Sequence, residues 1–396
     1  MISKLARSAL FHNGFRPFFL GGSAFAGLAV LFWVAVFSGW VVLPSGADPR
    51  NWHAHEMTFG FFGAIMGGFL LTAMPGWTGK APLSGEKLFG LFVVWLAGRV
   101  AMTAYLIGDP AASFPIWAVV VAVADMIYPA LLLVYCASQI VDSRGMHNLP
   151  VVVMVALYGL SDVLFHAAPY SFFDRNLGPH LALGAAALLI ALIGGRIVPN
   201  FTRNWLAARS PGLVPAEFGL FDKLALVETA VAILAWTFVP DSATTGFLLA
   251  LAALLGLIRL SRWRGLHTTA EPLVMILHAG YLWLVLALAA LAVNVLAPSL
   301  LPGASALHVL TAGSMGVMML AVMTRATRGH TGRPLLADRT TVVIYALVNL
   351  GALVRVSAPV LPFDYAAAVA VGGILWSSAM LLFAVKYGPW LIGPRS

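Results

Sequence analysis

The stretch Trp52–Gly76 reads WHAHEMTFGFFGAIMGGFLLTAMPG, and beyond Glu56 it carries no charged residue. A helix needs about 20 mostly apolar residues to cross the hydrocarbon of a bilayer, so this segment reads as a membrane span entered through the histidines His53 and His55. Stretches of the same length and character run outward from it in both directions and fill nearly the whole chain. They cover residues 18–40, 55–76, 86–107, 113–138, 147–168, 176–198, 221–239, 243–261, 270–295, 303–325, 340–361 and 364–386. Pro, Gly, Asp or Ser punctuates most of the short connections. Of the 396 residues 61% are hydrophobic and only 10% charged, against about 25% charged in soluble domains. The expected fold is an all-α integral membrane protein of about twelve transmembrane helices, residues 1–396 forming a single polytopic domain. No tandem repeat is legible.

The formal net charge of +8 does not point to nucleic acid, because the positions of the charges follow the membrane. Lys4, Arg7 and Arg16, alternate loops from Lys80 and Lys87 onward, and Lys386 and Arg395 together hold nineteen of the 23 Lys and Arg. The other loops hold Arg50 and Arg175, while Arg99 and Arg355 fall within spans. Cytoplasmic loops collect basic residues, so both termini are expected in the cytoplasm and the span count is expected to be even. Cys136 is the only cysteine. That excludes an internal disulfide, a thiolate zinc site, an iron–sulfur cluster and a Cys-x-x-Cys-His haem attachment. A metal must rest on His, Met, Tyr, carboxylate or backbone.

Imidazole in hydrocarbon is costly unless it ligates or hydrogen-bonds something. Of the ten histidines, His53, His55, His166, His180 and His308 fall near the outer ends of spans, and His278 lies roughly 12 Å deep at 1.5 Å per residue. His53 and His55 diverge by about 200° on a regular helix and should serve different partners. His55 heads a bulky stripe of Phe59, Phe62, Met66 and Phe69; the His53 side carries Gly60, Gly63, Ala64 and Gly67. Span six repeats the grooved design below His180, and span ten sets His308 above Ala312, Met315 and Met319. Single intramembrane histidines often serve only to bond a neighbouring helix, His166 foremost. The shared depth of the set favours a metal or haem site, since neutral imidazole suits haem iron and copper.

Buried charges offer a second reading. Arg355 lies toward the outer side, where a guanidinium can hold haem propionates; Arg99 and Arg355 are both cofactor-binding candidates. The alternative is ion pairing between helices with the rare acids Asp125, Asp162 and Glu228. For Glu56 the choices are a hydrogen bond to an imidazole, proton delivery, or interfacial solvation.

At these residues the chain resembles the NnrS family, bacterial inner-membrane proteins with haem and copper that are linked to nitric oxide metabolism and nitrosative stress. The matching segments are Gly14–Phe19 (GFRPFF), Trp52–Met57 (WHAHEM), Gly68–Ala73 with Trp77–Gly79, Gly194–Pro199 (GGRIVP), Leu277–Tyr281 (LHAGY), and Leu307–His308 through Met323–Arg325 to Gly329–Pro334 (GHTGRP). The resemblance implies haem b, and copper, with His53, His55, His278, His308 and His330 at motif positions as metal ligands; His180 joins them on depth. The helix count and the histidines of spans two and ten are also similar to haem-copper oxidases and nitric oxide reductases. That likeness makes His55 and His308 the expected axial pair of a haem. His53, His180 and His278 are left for a second haem or copper, with His53, Glu56 and His278 in catalytic roles.

The function expected is binding of nitric oxide, or another small diatomic ligand, at a haem or copper centre of the bacterial cytoplasmic membrane. Reduction would draw on a quinol or cytochrome electron donor. The rival classes are a twelve-helix secondary transporter and a non-catalytic haem-based nitric oxide sensor or metal-handling protein.

Overall fold

In a computed structural model, residues 6–108, 115–143, 145–170, 174–210, 212–362 and 364–395 are described. Among them there is no strand, and twelve long helices follow one another: α1 Phe15–Phe37, α2 Pro49–Thr78, α3 Gly85–Ile107, α4 Pro115–Ser143, α5 Leu149–Ala167, α6 Leu177–Ala207, α7 Leu220–Phe238, α8 Ala243–Ser261, α9 Pro272–Leu296, α10 Gly303–His330, α11 Arg339–Ser357 and α12 Tyr365–Ile392. Eleven are long and apolar enough to cross a membrane. The exception, α7, carries Asp222, Lys223 and Glu228. It still exposes Leu220, Leu224, Val227, Val231, Leu234 and Phe238, a stripe at three- and four-residue steps that suits lipid. Its Asp222 is buried against Arg259, 3.0 Å away, and Arg262. The protein is a multi-pass, all-helical membrane protein.

Each of the twelve expected spans corresponds to one helix, with displaced ends. α2 begins at Pro49, six residues before the apolar run, because Asp48 caps it by accepting from Asn51 N at 2.9 Å and Pro49 supplies a preset first turn. His53 and His55 are therefore both helical. α6, α10 and α12 run past their apolar runs by up to nine residues, since a helix can continue beyond the hydrocarbon into polar sequence.

The chain divides into two compact units. One comprises Met1–Ala182, Ala326–Arg333 and Met380–Ser396; the other comprises Leu183–Arg325 and Pro334–Ala379. In the first, an aromatic core gathers Phe18, Phe92, Trp95 and Tyr128, with ring centroids 5.4–6.2 Å apart along the chain of contacts.

Three helices are wound more widely over part of their length: α2 over Glu56–Phe62, α6 over Ile190–Gly194 and α10 over Val309–Met315 form π-helical turns. A π turn breaks the regular ladder, and its carbonyls are open to further donors. Each segment receives at least one from another helix. Arg259 Nη1 donates to Ala191 O at 3.0 Å in α6, and Trp376 Nε1 to Ala312 O at 3.1 Å in α10. Those of α2 are described with the site they position.

α2 and α10 share more than this winding. His55, Thr58, Gly60, Gly63 and Met66 recur as His308, Thr311, Gly313, Gly316 and Met319, and in both helices the π segment starts directly after the histidine. The partner helices match too. Gly22 of α1 packs on Ile65 and Gly60 on Phe25; Gly280 of α9 packs on Met318 and Gly313 on Trp283. Each contact in the second pair falls at the equivalent residues of the first, so α1–α2 and α9–α10 are two copies of one helix pair. Tandem inspection misses this because the copies are some 250 residues apart and share mainly small residues.

Candidate metal centre

Where α2 passes from α-helical to π-helical winding, His55 and Glu56 are both fully buried. The π segment beyond them sets the register of three neighbouring helices. Trp95 Nε1 of α3 donates to Gly60 O at 3.0 Å, Tyr128 Oη of α4 to Gly63 O at 3.0 Å, and Tyr158 Oη of α5 to Thr58 O at 2.9 Å. One turn along the same face of each helix lies a polar side chain: Arg99 four residues after Trp95, Asp125 three before Tyr128, Asp162 four after Tyr158 and His166 four further. These three bonds, to carbonyls in and just beyond the π segment, thus fix the helices that bring these groups together.

The groups converge on His55. Glu56 Oε1 accepts from His55 Nδ1 at 2.9 Å and from Arg99 Nη1 at 2.8 Å, and Arg99 Nη2 pairs with Asp125 Oδ1. On the other side of the ring, His55 Nε2 lies 2.8 Å from Asp125 Oδ2 and 3.4 Å from Asp162 Oδ1. His166 Nε2 faces the same two carboxylates at 3.2 and 3.6 Å. Arg99, Asp125 and Asp162 are at most 4% exposed. Gly98 makes the α3–α4 approach possible: a Cβ there would stand 2.9 Å from Asp125 Oδ1 and 3.2 Å from its Cα. Phe59 and Phe165 wall the His55 ring, with centroids 4.9 and 4.8 Å away.

Three carboxylates and one guanidinium leave a net charge of −2 when both imidazoles are neutral. Buried charge of that size is unstable without a counter-ion. Both oxygens of Asp162, Glu56 Oε2 and His55 Nε2 are buried without a hydrogen-bond partner. When His55 is neutral with its Nδ1–H donating to Glu56, its Nε2 lone pair faces the acids and His166. A carboxylate on one ring nitrogen and a metal on the other is the usual setting of a ligating histidine. One ligand atom from each of His55, Asp125, Asp162 and His166 lies within 4.8 Å of all the others, and this is the one such group among the described residues. Two imidazoles and two carboxylates suit a first-row transition metal. A porphyrin does not fit against His55 Nε2 in this arrangement, because carboxylate oxygens stand where its ring would lie.

Of the residues singled out in the sequence, His55, Glu56 and Arg99 meet here. His53 turns away, as its spacing implies, with its ring 4.5 Å from that of Trp33 on α1. His180, near the start of α6, and His330, whose ring is 5.3 Å from Phe15, also lie outside the cluster. In the second unit, His278 Nε2 is 2.8 Å from Thr202 Oγ1 and its ring packs against Gly265. His308 Nδ1 donates to Ala304 O at 2.6 Å, and Arg355 is buried at the end of α11. Asp125 and Asp162 are expected from the sequence only as ion-pair partners of buried arginines, which Asp125 is for Arg99, and His166 only as a bond to a neighbouring helix; none is expected there as a metal ligand. The available signal was Asp162-x3-His166, two donors one helical turn apart within a span.

No curated protein matches the chain. A family model described as NnrS protein matches residues 9–395, taking in every helix and all members of the cluster. The chain belongs to the NnrS family.

Proposed function

We propose that this protein is a membrane metalloprotein that binds nitric oxide at the centre formed by His55, Asp125, Asp162 and His166, in nitric oxide reduction or nitrosative stress defence. Membership of the NnrS family makes it a nitric-oxide-related membrane protein in general terms. The observation that carries the finer reading is the buried donor set, in which neither Asp162 oxygen accepts a hydrogen bond. Iron or copper suits the mixed nitrogen and oxygen donors, and such a metal, when bound, supplies an open position for a diatomic ligand. Glu56 holds His55 in the ligating tautomer, Arg99 pins Glu56 and Asp125, and Phe59 and Phe165 keep water from the imidazole. In this reading His55 serves the ion, and haem b rests on histidines outside the cluster, His308 among them. The setting is the bacterial cytoplasmic membrane, with a quinol or cytochrome as donor if nitric oxide is reduced.

The test is anaerobic titration of the reduced, metal-loaded, detergent-purified protein with nitric oxide, followed by electron paramagnetic resonance. A nitrosyl signal at one equivalent per chain, absent from Asp162→Asn/His166→Ala protein, supports the proposal. The same signal in both proteins refutes it. Nitrous oxide formed with an added electron donor separates turnover from binding.

A further inference from the structure

The copied helix pair points to a second site of different chemistry. Val309 stands in α10 where α2 has Glu56, so the carboxylate beside the histidine is missing from the second copy. In each set the next helix carries one buried arginine, Arg99 on α3 and Arg355 on α11. Arg99 is neutralised by Glu56 and Asp125. Arg355, only 9% exposed, forms no ion pair with any described residue, and its Nε and Nη1 are buried without an acceptor. Among the described residues its one side-chain partner is the hydroxyl of Tyr365.

A second donor lies on the helix segment that packs against α11. Ser305, fully buried with no partner for its Oγ, is in the first turn of α10. α11 packs along Gly303–His308 and runs back from the 331–338 connection, so its last turn, with Arg355, returns to the end of α10 that holds Ser305. Close backbone packing holds α11 in place: a Cβ on Gly372 would stand 2.9 Å from Arg355 N and 3.2 Å from its Cα. A guanidinium does not lose its proton in proteins, and unpaired in a membrane it is costly. One uncompensated positive charge, N–H donors and a hydroxyl between packed helices match a small anion with oxygen acceptors.

We propose that Arg355 and Ser305 bind a small, singly charged oxyanion of the nitrite, nitrate or carboxylate class at the membrane face away from the basic loops. This site does not depend on the metal centre of the first unit. It is tested by calorimetric titration of the detergent-purified protein with sodium nitrite, nitrate and formate at constant ionic strength, with chloride as control. At least one oxyanion binds saturably and chloride does not. Arg355→Gln weakens binding at least about tenfold, the scale of one hydrogen bond to a charged group. Arg355→Lys keeps more of the affinity than Arg355→Gln, Ser305→Ala weakens it, and Asp162→Asn leaves it unchanged. Equal binding by Arg355→Gln and the parent, or no saturable binding by any oxyanion, overturns the proposal. Loss of a bound cofactor's absorbance in Arg355→Gln, with no free oxyanion bound by the parent, assigns the arginine to a cofactor carboxylate and overturns it as well.

Discussion

Asp162→Asn should move stability and metal affinity in opposite directions. Asp162 is fully buried, neither oxygen has a hydrogen-bond partner, and its ligand oxygen lies within 4.8 Å of that of Asp125. Two like charges at that distance repel by about 3 kcal/mol at an effective dielectric constant near 20. Asparagine keeps the shape and removes the charge. Chelator-treated Asp162→Asn protein should therefore melt a few degrees above chelator-treated parent in the same detergent. With metal restored the order reverses, because the variant has lost an anionic ligand, and its metal affinity should fall at least about tenfold, the lower end for even an outer partner of a ligand. Paired thermal melts with and without metal measure both effects. If the histidines were protonated and themselves balanced the acids, the metal-free variant would be the less stable. That result, with unchanged metal affinity, would refute the argument from charge.

Further consequences follow from the packing. Gly98→Ala should push α4 away from α3 and lower metal content, whereas Gly90→Ala, with nothing within 4 Å of its Cβ, should not; metal analysis of the two variants checks this. Glu56→Gln should weaken metal binding about 10- to 100-fold while the protein stays folded, read by competition with a chromophoric chelator. Tyr158→Phe removes the α5 donor to Thr58 O, which keeps the Gly63 N–H, and should cost about 0.5–1.5 kcal/mol, seen as a lower unfolding midpoint. Gly265→Ala would place a methyl 2.5–2.9 Å from the His278 ring and should also destabilise the protein, whereas Gly90→Ala, inside α3 with nothing within 4 Å, should not.

The fold was legible because hydrophobic length and the alternation of basic loops are one-dimensional signals, and each of the twelve expected spans has its helix. Helix ends were less so: Asp48 and Pro49 start α2 before its apolar run begins. The site was half legible. His55, Glu56 and Arg99 stand out as polar groups in apolar sequence, and the divergence of His53 from His55 follows from helical spacing. Asp125, Asp162 and His166 lie on other helices, so their meeting depends on a register that the sequence pattern does not encode. That register is set by Trp95, Tyr128 and Tyr158 donating to carbonyls in and just beyond a π-helical segment, and local propensity does not announce a π turn. The copied helix pair was hidden for a related reason. Half of its repeated residues are glycines, whose significance is visible only in what packs against them.

Metal binding by His55, Asp125, Asp162 and His166 is tested most directly by metal content per chain, after chelator-stripped protein is dialysed to equilibrium against iron(II) and in parallel against copper. One equivalent should be retained by the parent and by His53→Ala, and lost from His55→Ala and from His166→Ala. Equal retention by the parent and His166→Ala would contradict it.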